Sequence, residues 1–167
     1  MNSVAENLRD EIVALLPRLR RFGRSITRHR EDADDLVQIA VERALTRWGQ
    51  WQPGTRVDSW MFRIMQNAWI DELRTRQRQH QFFAPEEEGE EVGGATSDAQ
   101  IDALAVKKAM AQLNDDQRSV VALVLVEGLS YKEAAQVLEI PMGTLTSRLA
   151  RARTTLQEIL EPAGAGS

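Results

Sequence analysis

Cysteine is missing altogether from the 167 residues, which excludes disulfides, thiolate metal sites and cysteine nucleophiles. Imidazole is nearly as scarce. His29 sits in a basic helical run and His80 in a polar one, and neither has a second ligand or reacting partner at useful spacing. No paired carboxylates, metal-ligand cluster or nucleophile with its base stands out, so the sequence points away from an enzyme and implies no metal or cofactor. Long apolar runs are missing too: the longest, Val120 to Val126, is far too short to span a bilayer. The N-terminal stretch MNSVAENLRDEI lacks the charged-then-apolar pattern of an export signal, which makes the cytoplasm the expected site of action. Strand-like alternation and internal repeats are also absent. Every periodic segment has helical spacing, which predicts an all-α fold. Hydrophobic residues make up 43% of the chain, enough to build a core and too many for a disordered protein.

The net charge of −4 is unevenly spread. Residues 1–80 hold 14 basic and 11 acidic side chains, residues 81–100 none and six, and residues 101–167 seven and eight. The overall acidity therefore comes from one segment, QFFAPEEEGEEVGGATSDAQ, whose proline, glycines and acidic cluster cannot bury enough surface to fold alone. It reads as a flexible linker over 81–100 between two small helical domains, 1–80 and 101–167. Both domains carry little charge bias, so non-specific affinity for duplex DNA should be poor without a larger, positively charged partner.

The most specific pattern lies in Gly128 to Arg153, GLSYKEAAQVLEIPMGTLTSRLARAR. Ser130-x-x-Glu133 has the form of a capping box starting a short helix, with Ala134, Ala135 and Leu138 as its apolar face. Proline disfavours helical geometry in the residue before it, so this helix must stop near Ile140-Pro141. Pro141 then suits the first turn of a second helix, where a missing amide costs nothing. On that helix Leu145, Leu149, Ala152 and Leu156 form one apolar stripe. Thr144, Ser147, Ala150, Arg151 and Thr154 lie opposite, with Arg148 and Arg153 at the flanks. No acidic residue falls between Pro141 and Gln157. A helix-turn-helix whose second helix is small and purely basic on its outer face suits the major groove of DNA.

The first domain offers further faces. Leu8 to Leu16 and Leu19 to Thr27 form one long or Pro17-interrupted helix. Asp32 is placed to cap a helix over Ala33 to Trp48. Its broad apolar face runs from Leu36 to Trp48, and its opposite face carries Asp35, Gln38 and Glu42 with Ile39 among them. An isoleucine in an acidic stripe fits a protein partner that is basic at the rim and apolar at the centre; it also fits an inconsequential exposed side chain. Asp58 or Ser59 is placed to cap a third helix from Trp60 to about Gln79, on which Arg63, Asn67, Asp71 and Arg74 share a side. The preceding turn-rich loop sets Trp51 beside Arg56. Aromatics beside arginines suit single-stranded DNA, since bases stack on rings at roughly 1–3 kcal/mol each while phosphates meet positive charge. Trp69 reads as core and Trp51 as the better stacking candidate.

These segments, in this order and over nearly the whole chain, resemble an extracytoplasmic-function (ECF) sigma factor, a small bacterial transcription initiation subunit. DADDLVQIAVERAL from Asp32 and SWMFRIMQNAWIDELR from Ser59 resemble its sigma-2 domain, and LNDDQRSVVALVLVEGLSYKEAAQVLEIPMGTLTSRLARAR from Leu113 its sigma-4 domain. The resemblance implies roles residue by residue. Asp34, Asp35, Gln38 and Glu42, with Ile39 among them, would grip the clamp helices of the largest subunit of core RNA polymerase. Trp51, Arg56, Ser59, Trp60, Arg63, Asn67 and Arg74 would open and read the minus-10 promoter element, where the family captures an unstacked base in a pocket. Thr144, Thr146, Ser147, Arg148 and Arg151 would read the minus-35 element as duplex. The acidic tether would thread a positively charged polymerase channel, and an anti-sigma factor would hold the protein silent. Ile39 stands where the family commonly has an acidic residue. Thr146 and Ala150 stand where larger or basic side chains are common, so Arg151 would carry more of the readout. The rival readings are a sigma mimic that only sequesters an anti-sigma factor and a free-standing helix-turn-helix repressor. A mimic is expected to have a degenerate recognition helix and usually a fused receiver, for which the chain leaves no length. The repressor leaves the first eighty residues unexplained.

Overall fold

The computed structural model describes residues 3–80 and 98–161, and the side chains of all of these except 98–102. Seven α-helices and no strand occur among the described residues: α1 (Ser3–Thr27), α2 (Arg30–Thr46), α3 (Val57–His80), α4 (Asp98–Gln112), α5 (Asp115–Val121), α6 (Tyr131–Leu138) and α7 (Met142–Leu160). A 3-10 turn, Trp48–Gln50, follows α2, and α5 runs on into a π-helical turn, Ala122–Val126. The segment read as a linker lies outside the described residues up to residue 97, and residues 98–100 already belong to α4.

The first three helices pack on one another around Leu8, Ile12, Leu19, Phe22 and Ile26 of α1, Leu36, Val37, Ala40 and Ala44 of α2, and Met61, Phe62 and Met65 of α3. Each of these large side chains gains roughly 1.5–3 kcal/mol on leaving water. Phe22 and Phe62 meet at the centre with rings 4.8 Å apart and tilted by 49°. α1 is a single helix that keeps Pro17 inside it, on the solvent side. α1 and α2 approach closely where Gly23 faces Ala33: a Cβ at Gly23 would sit 3.3 Å from the Ala33 Cβ and carbonyl oxygen.

α4 to α7 continue the same apolar cluster with Leu113, Val120, Leu123, Leu129, Ala134, Val137, Leu145, Leu149 and Ala152. α5 opens with a full capping box, Asn114 accepting from the Gln117 amide at 2.8 Å and the Gln117 side chain accepting from the Asn114 amide at 3.3 Å. Arg118, though buried, reaches back to the Met110 carbonyl at 3.0 Å and the Leu113 carbonyl, joining the end of α4 to α5. The two halves meet through α3 against α6 and α1 against α5 and the π turn.

Several sequence expectations shift at the helix starts. α2 begins at Arg30 after an uncapped His29, so Asp32 lies in the first turn, where its carboxylate accepts two hydrogen bonds from Arg76 of α3 at 2.6 and 3.1 Å. α2 ends at Thr46, short of Trp48. α3 begins at Val57, which puts Asp58 and Ser59 inside its first turn instead of at the cap. Pro141 is the N-cap of α7, one residue before the first turn. The Ser130 cap is present, accepting from the Glu133 amide at 3.1 Å, but Glu133 answers the Ser130 hydroxyl at 2.9 Å instead of its amide. No described helix is long and apolar enough to cross a membrane.

Candidate nucleic-acid interface

The helix-turn-helix forms from α6 and α7 as the caps and Pro141 dictate. α6 stops at Leu138 and the chain turns through Glu139, held in the left-handed region at φ 56°. That conformation favours glycine or asparagine, so a glutamate there is unusual. Leu145, Leu149 and Ala152 of α7 are buried, and Leu156 packs half-buried against them. Of the expected outer face, Ser147, Ala150, Arg151 and Thr154 are exposed and Thr144 is half-buried, while Thr146 is exposed beside them. Arg148 lies back toward α5, its Nη2 3.8 Å from Asp116. Thr146 donates its hydroxyl to the Gly143 carbonyl at 3.0 Å. Arg151 has no acidic partner among the described residues.

Five of the seven residues assigned to single-stranded DNA come together. Arg56, Ser59, Trp60, Arg63 and Asn67 line one cleft of about 610 Å3 formed by the 3-10 turn, the loop after it and the first turns of α3. Its far wall belongs to α6: Glu133, Gln136 and Val137. Arg74 stands two turns beyond Asn67 on the same face of α3, outside this cleft, beside Asp71 and Arg78. Trp51 is half-buried, packed on the core with its Nε1 enclosed and bonded to no protein group, whereas Trp48 is the more exposed ring of the loop. Trp69 is buried, as read, with the Arg76 guanidinium 5.2 Å over its ring. The Ser59 hydroxyl, on the cleft, is enclosed and unbonded.

Buried Asp58, which does not itself line the cleft, holds two groups that do, Arg56 and Ser59. Arg56 grips it with two bonds, at 3.0 and 2.6 Å, Arg18 of α1 adds one at 3.0 Å, and the Ser59 amide another at 2.7 Å. Burial alone would raise the Asp58 carboxyl, but the bonds from Arg56, Arg18 and Ser59 outweigh it and leave the group below its ordinary range. The same bond raises Arg56 further above its usual range.

Sequence reasoning missed the partners of these arginines. Glu133 of α6 binds Arg56, and Glu139 binds Arg63 with Nε at 2.7 Å. Glu127, at the end of the π turn, takes Arg18 Nε at 3.2 Å and Arg21 Nε and Nη2 at 2.9 and 2.8 Å. These contacts span 76 to 109 residues, so no local pattern announces them. The available signal was weaker: Glu133 on the first helix of a DNA-reading pair and Glu139 in the turn after it, where phosphate would repel them.

The residues assigned to the polymerase form two rows on α2. Asp34, Gln38 and Glu42 border a groove of about 500 Å3 against Leu16 and Arg20 of α1. Asp35 and Ile39 stand in the next row outward, with Ile39 40% exposed.

Comparison with known proteins identifies both halves of the chain. Residues 12–66 match the family model for the sigma2 domain of PhyR, and residues 103–156 match that for sigma-70 region 4. The ECF RNA polymerase sigma factor EcfG of Rhodopseudomonas palustris is 33% identical over 166 residues, covering 97% of this chain and 90% of that protein. SigM of Mycobacterium tuberculosis, another ECF sigma factor, is 37% identical over 142 residues, covering 85% and 71%. Among solved structures, the sigma factor RpoE of Bartonella quintana, in complex with the anti-sigma factor NepR, superposes with a TM-score of 0.79 at 30% identity, covering 95% of this chain and 99% of that one. The chain belongs to the ECF family of RNA polymerase sigma factors.

Proposed function

We propose that this chain is a non-catalytic specificity subunit that joins core RNA polymerase, recognises a two-part promoter and helps to melt it. The polymerase contact is the α2 strip of Asp34, Asp35, Gln38, Ile39 and Glu42, acidic at its edges and apolar at Ile39. The strand-opening site is the cleft of Arg56, Ser59, Trp60, Arg63 and Asn67, extended along α3 by Arg74 and flanked by Trp51. Its arginines suit phosphates and Trp60 on its wall offers a ring to an unstacked base. The duplex reader is α7, through Thr144, Thr146, Ser147, Arg148 and Arg151. An anti-sigma factor is the partner expected to keep the protein silent, since RpoE, similar over nearly its whole length, is known in complex with one.

The observation that carries this reading is the outer face of α7: exposed, free of acidic residues from Pro141 to Gln157, and led by Arg151 with no acidic partner among the described residues. Transcription reconstituted with core polymerase on the chain's own promoter tests it. Arg151→Ala should lower initiation about tenfold or more, as expected for loss of one bidentate base contact worth ~1–3 kcal/mol. Unchanged initiation would reject the assignment. A second reading, a mimic that only captures an anti-sigma factor, is favoured by the match of residues 12–66 to the PhyR domain. It predicts no promoter-directed transcript at all in the same assay.

A further inference from the structure

Arg56 lines the cleft with 54% of its side chain exposed, yet its head is not free to swing. Nε and Nη2 both donate to Asp58, so one edge of the planar guanidinium is turned inward and the other edge, led by Nη1, is left for a second partner. That outer edge meets the carboxylate of Glu133, which lines the same cleft, so it already binds an oxyanion on the cleft side. Asp58 is buried, at 8% side-chain exposure, and its oxygens take every available donor. Oδ1 accepts from Arg56 Nε and the Ser59 amide, and Oδ2 from Arg56 Nη2 and Arg18 Nη1. This uses the lone pairs of a carboxylate in full and leaves the group no second orientation.

A helix start needs a carboxylate only near its amides, and an exposed one would serve. Burying it costs desolvation that the guanidiniums must offset. Arg18 supplies that compensation from the side away from Arg56. It lies over the Phe62 ring at 5.4 Å and is shared with Glu127, whose second guanidinium is Arg21. Arg18 and Arg21 between them balance Asp58 and Glu127, so Asp58 can orient Arg56 without cancelling its charge.

We infer that Asp58 is a positioning residue for the cleft, holding the Arg56 guanidinium so that its outer edge is set to take a phosphate of the opened promoter strand. A held fork gives two parallel bonds to phosphate oxygens without the immobilisation cost that a free arginine meets on binding. Charge alone argues for the opposite sign. Removing a carboxylate beside a phosphate site raises the local positive charge and should tighten binding, whereas loss of positioning should weaken it.

The inference rests on the reading of this cleft as the strand-opening site, and separate measurements judge the two. In the free chain, hydrogen exchange of the Arg56 Nε–H, followed by NMR, should be slow in the wild type and fast in Asp58→Asn. Exchange in the wild type as fast as that of exposed Arg74 overturns the positioning, whatever the cleft binds. In holoenzyme assembled with core polymerase, the probe is a fluorescent single strand spanning the minus-10 region of the chain's own promoter. Asp58→Asn should weaken its binding about three- to tenfold, the cost of immobilising one long side chain. Arg56→Ala should weaken it at least as much, and Asp58→Asn added to Arg56→Ala should weaken it no further. Unchanged or tighter binding by Asp58→Asn overturns the inference. An equal further loss in the Arg56→Ala background also overturns it, since that would mark a fold defect. If Arg56→Ala itself leaves the strand bound at full strength, the promoter contact at Arg56 is rejected even where slow exchange shows the guanidinium held.

Discussion

Asp58 shows how one buried carboxylate sets the geometry of a binding surface. It holds the guanidinium of Arg56, a lining residue of the cleft, and ties α1 to the start of α3 through Arg18. Because its folded-state pKa is depressed, the folded protein holds fewer protons than the unfolded chain as the pH falls. Its stabilisation is therefore complete above the ordinary carboxylate range of about 4 and is lost progressively below it. Thermal melts of the wild type and of Asp58→Asn should differ at neutral pH and converge in acid; a constant gap across the titration would contradict the charge-based role. Such roles escaped the sequence because they depend on which distant side chain arrives. Asp58 was legible as a helix-start residue, yet its bonds go mainly to two arginines. Arg118 was equally silent: nothing in NDDQRSVV tells that the guanidinium turns inward, where burial lowers its pKa and backbone carbonyls receive it.

At the scale of elements, legibility followed periodicity. The stripe of α7, the stop of α6 before Pro141 and the face of α2 as far as Ala44 were visible as helical spacing, because one apolar face must meet the core, whereas Leu45 and Trp48, read as part of the α2 face, are exposed. Starts were misplaced by one to three residues, since Asp32 and Asp58 have the chemistry of caps but were taken up by Arg76, Arg56 and Arg18. The π turn Ala122–Val126 had no local signature beyond its apolar run. It matters, because it ends by presenting Glu127 to α1. The candidate polymerase strip on α2 gives the test that belongs to this scale. Asp35 is exposed beside Ile39 and is not among the residues tying α2 to α1 or α3. Asp35→Arg should leave helicity and melting temperature within error, yet weaken core polymerase binding more than about tenfold, by replacing attraction with like-charge repulsion at an interface. Retention of the variant by polymerase at wild-type strength would move the contact elsewhere.

Over the whole molecule, two helical halves that read from sequence as separately tethered modules are packed on each other through paired arginines and glutamates. The two basic surfaces differ in this respect: Arg56 and Arg63 of the cleft are paired with Glu133 and Glu139, whereas Arg151 of α7 has no acidic partner among the described residues. The central claim is that promoter recognition belongs to the complex with polymerase and not to the free chain. Sequencing of transcript start sites from genomic DNA, transcribed by core polymerase with and without this protein, tests that claim most directly. The account predicts a set of starts that depends on the protein and shares a two-part upstream sequence, with no comparable DNA binding by the protein alone. No protein-dependent starts, or equally tight promoter binding in the absence of polymerase, would contradict it.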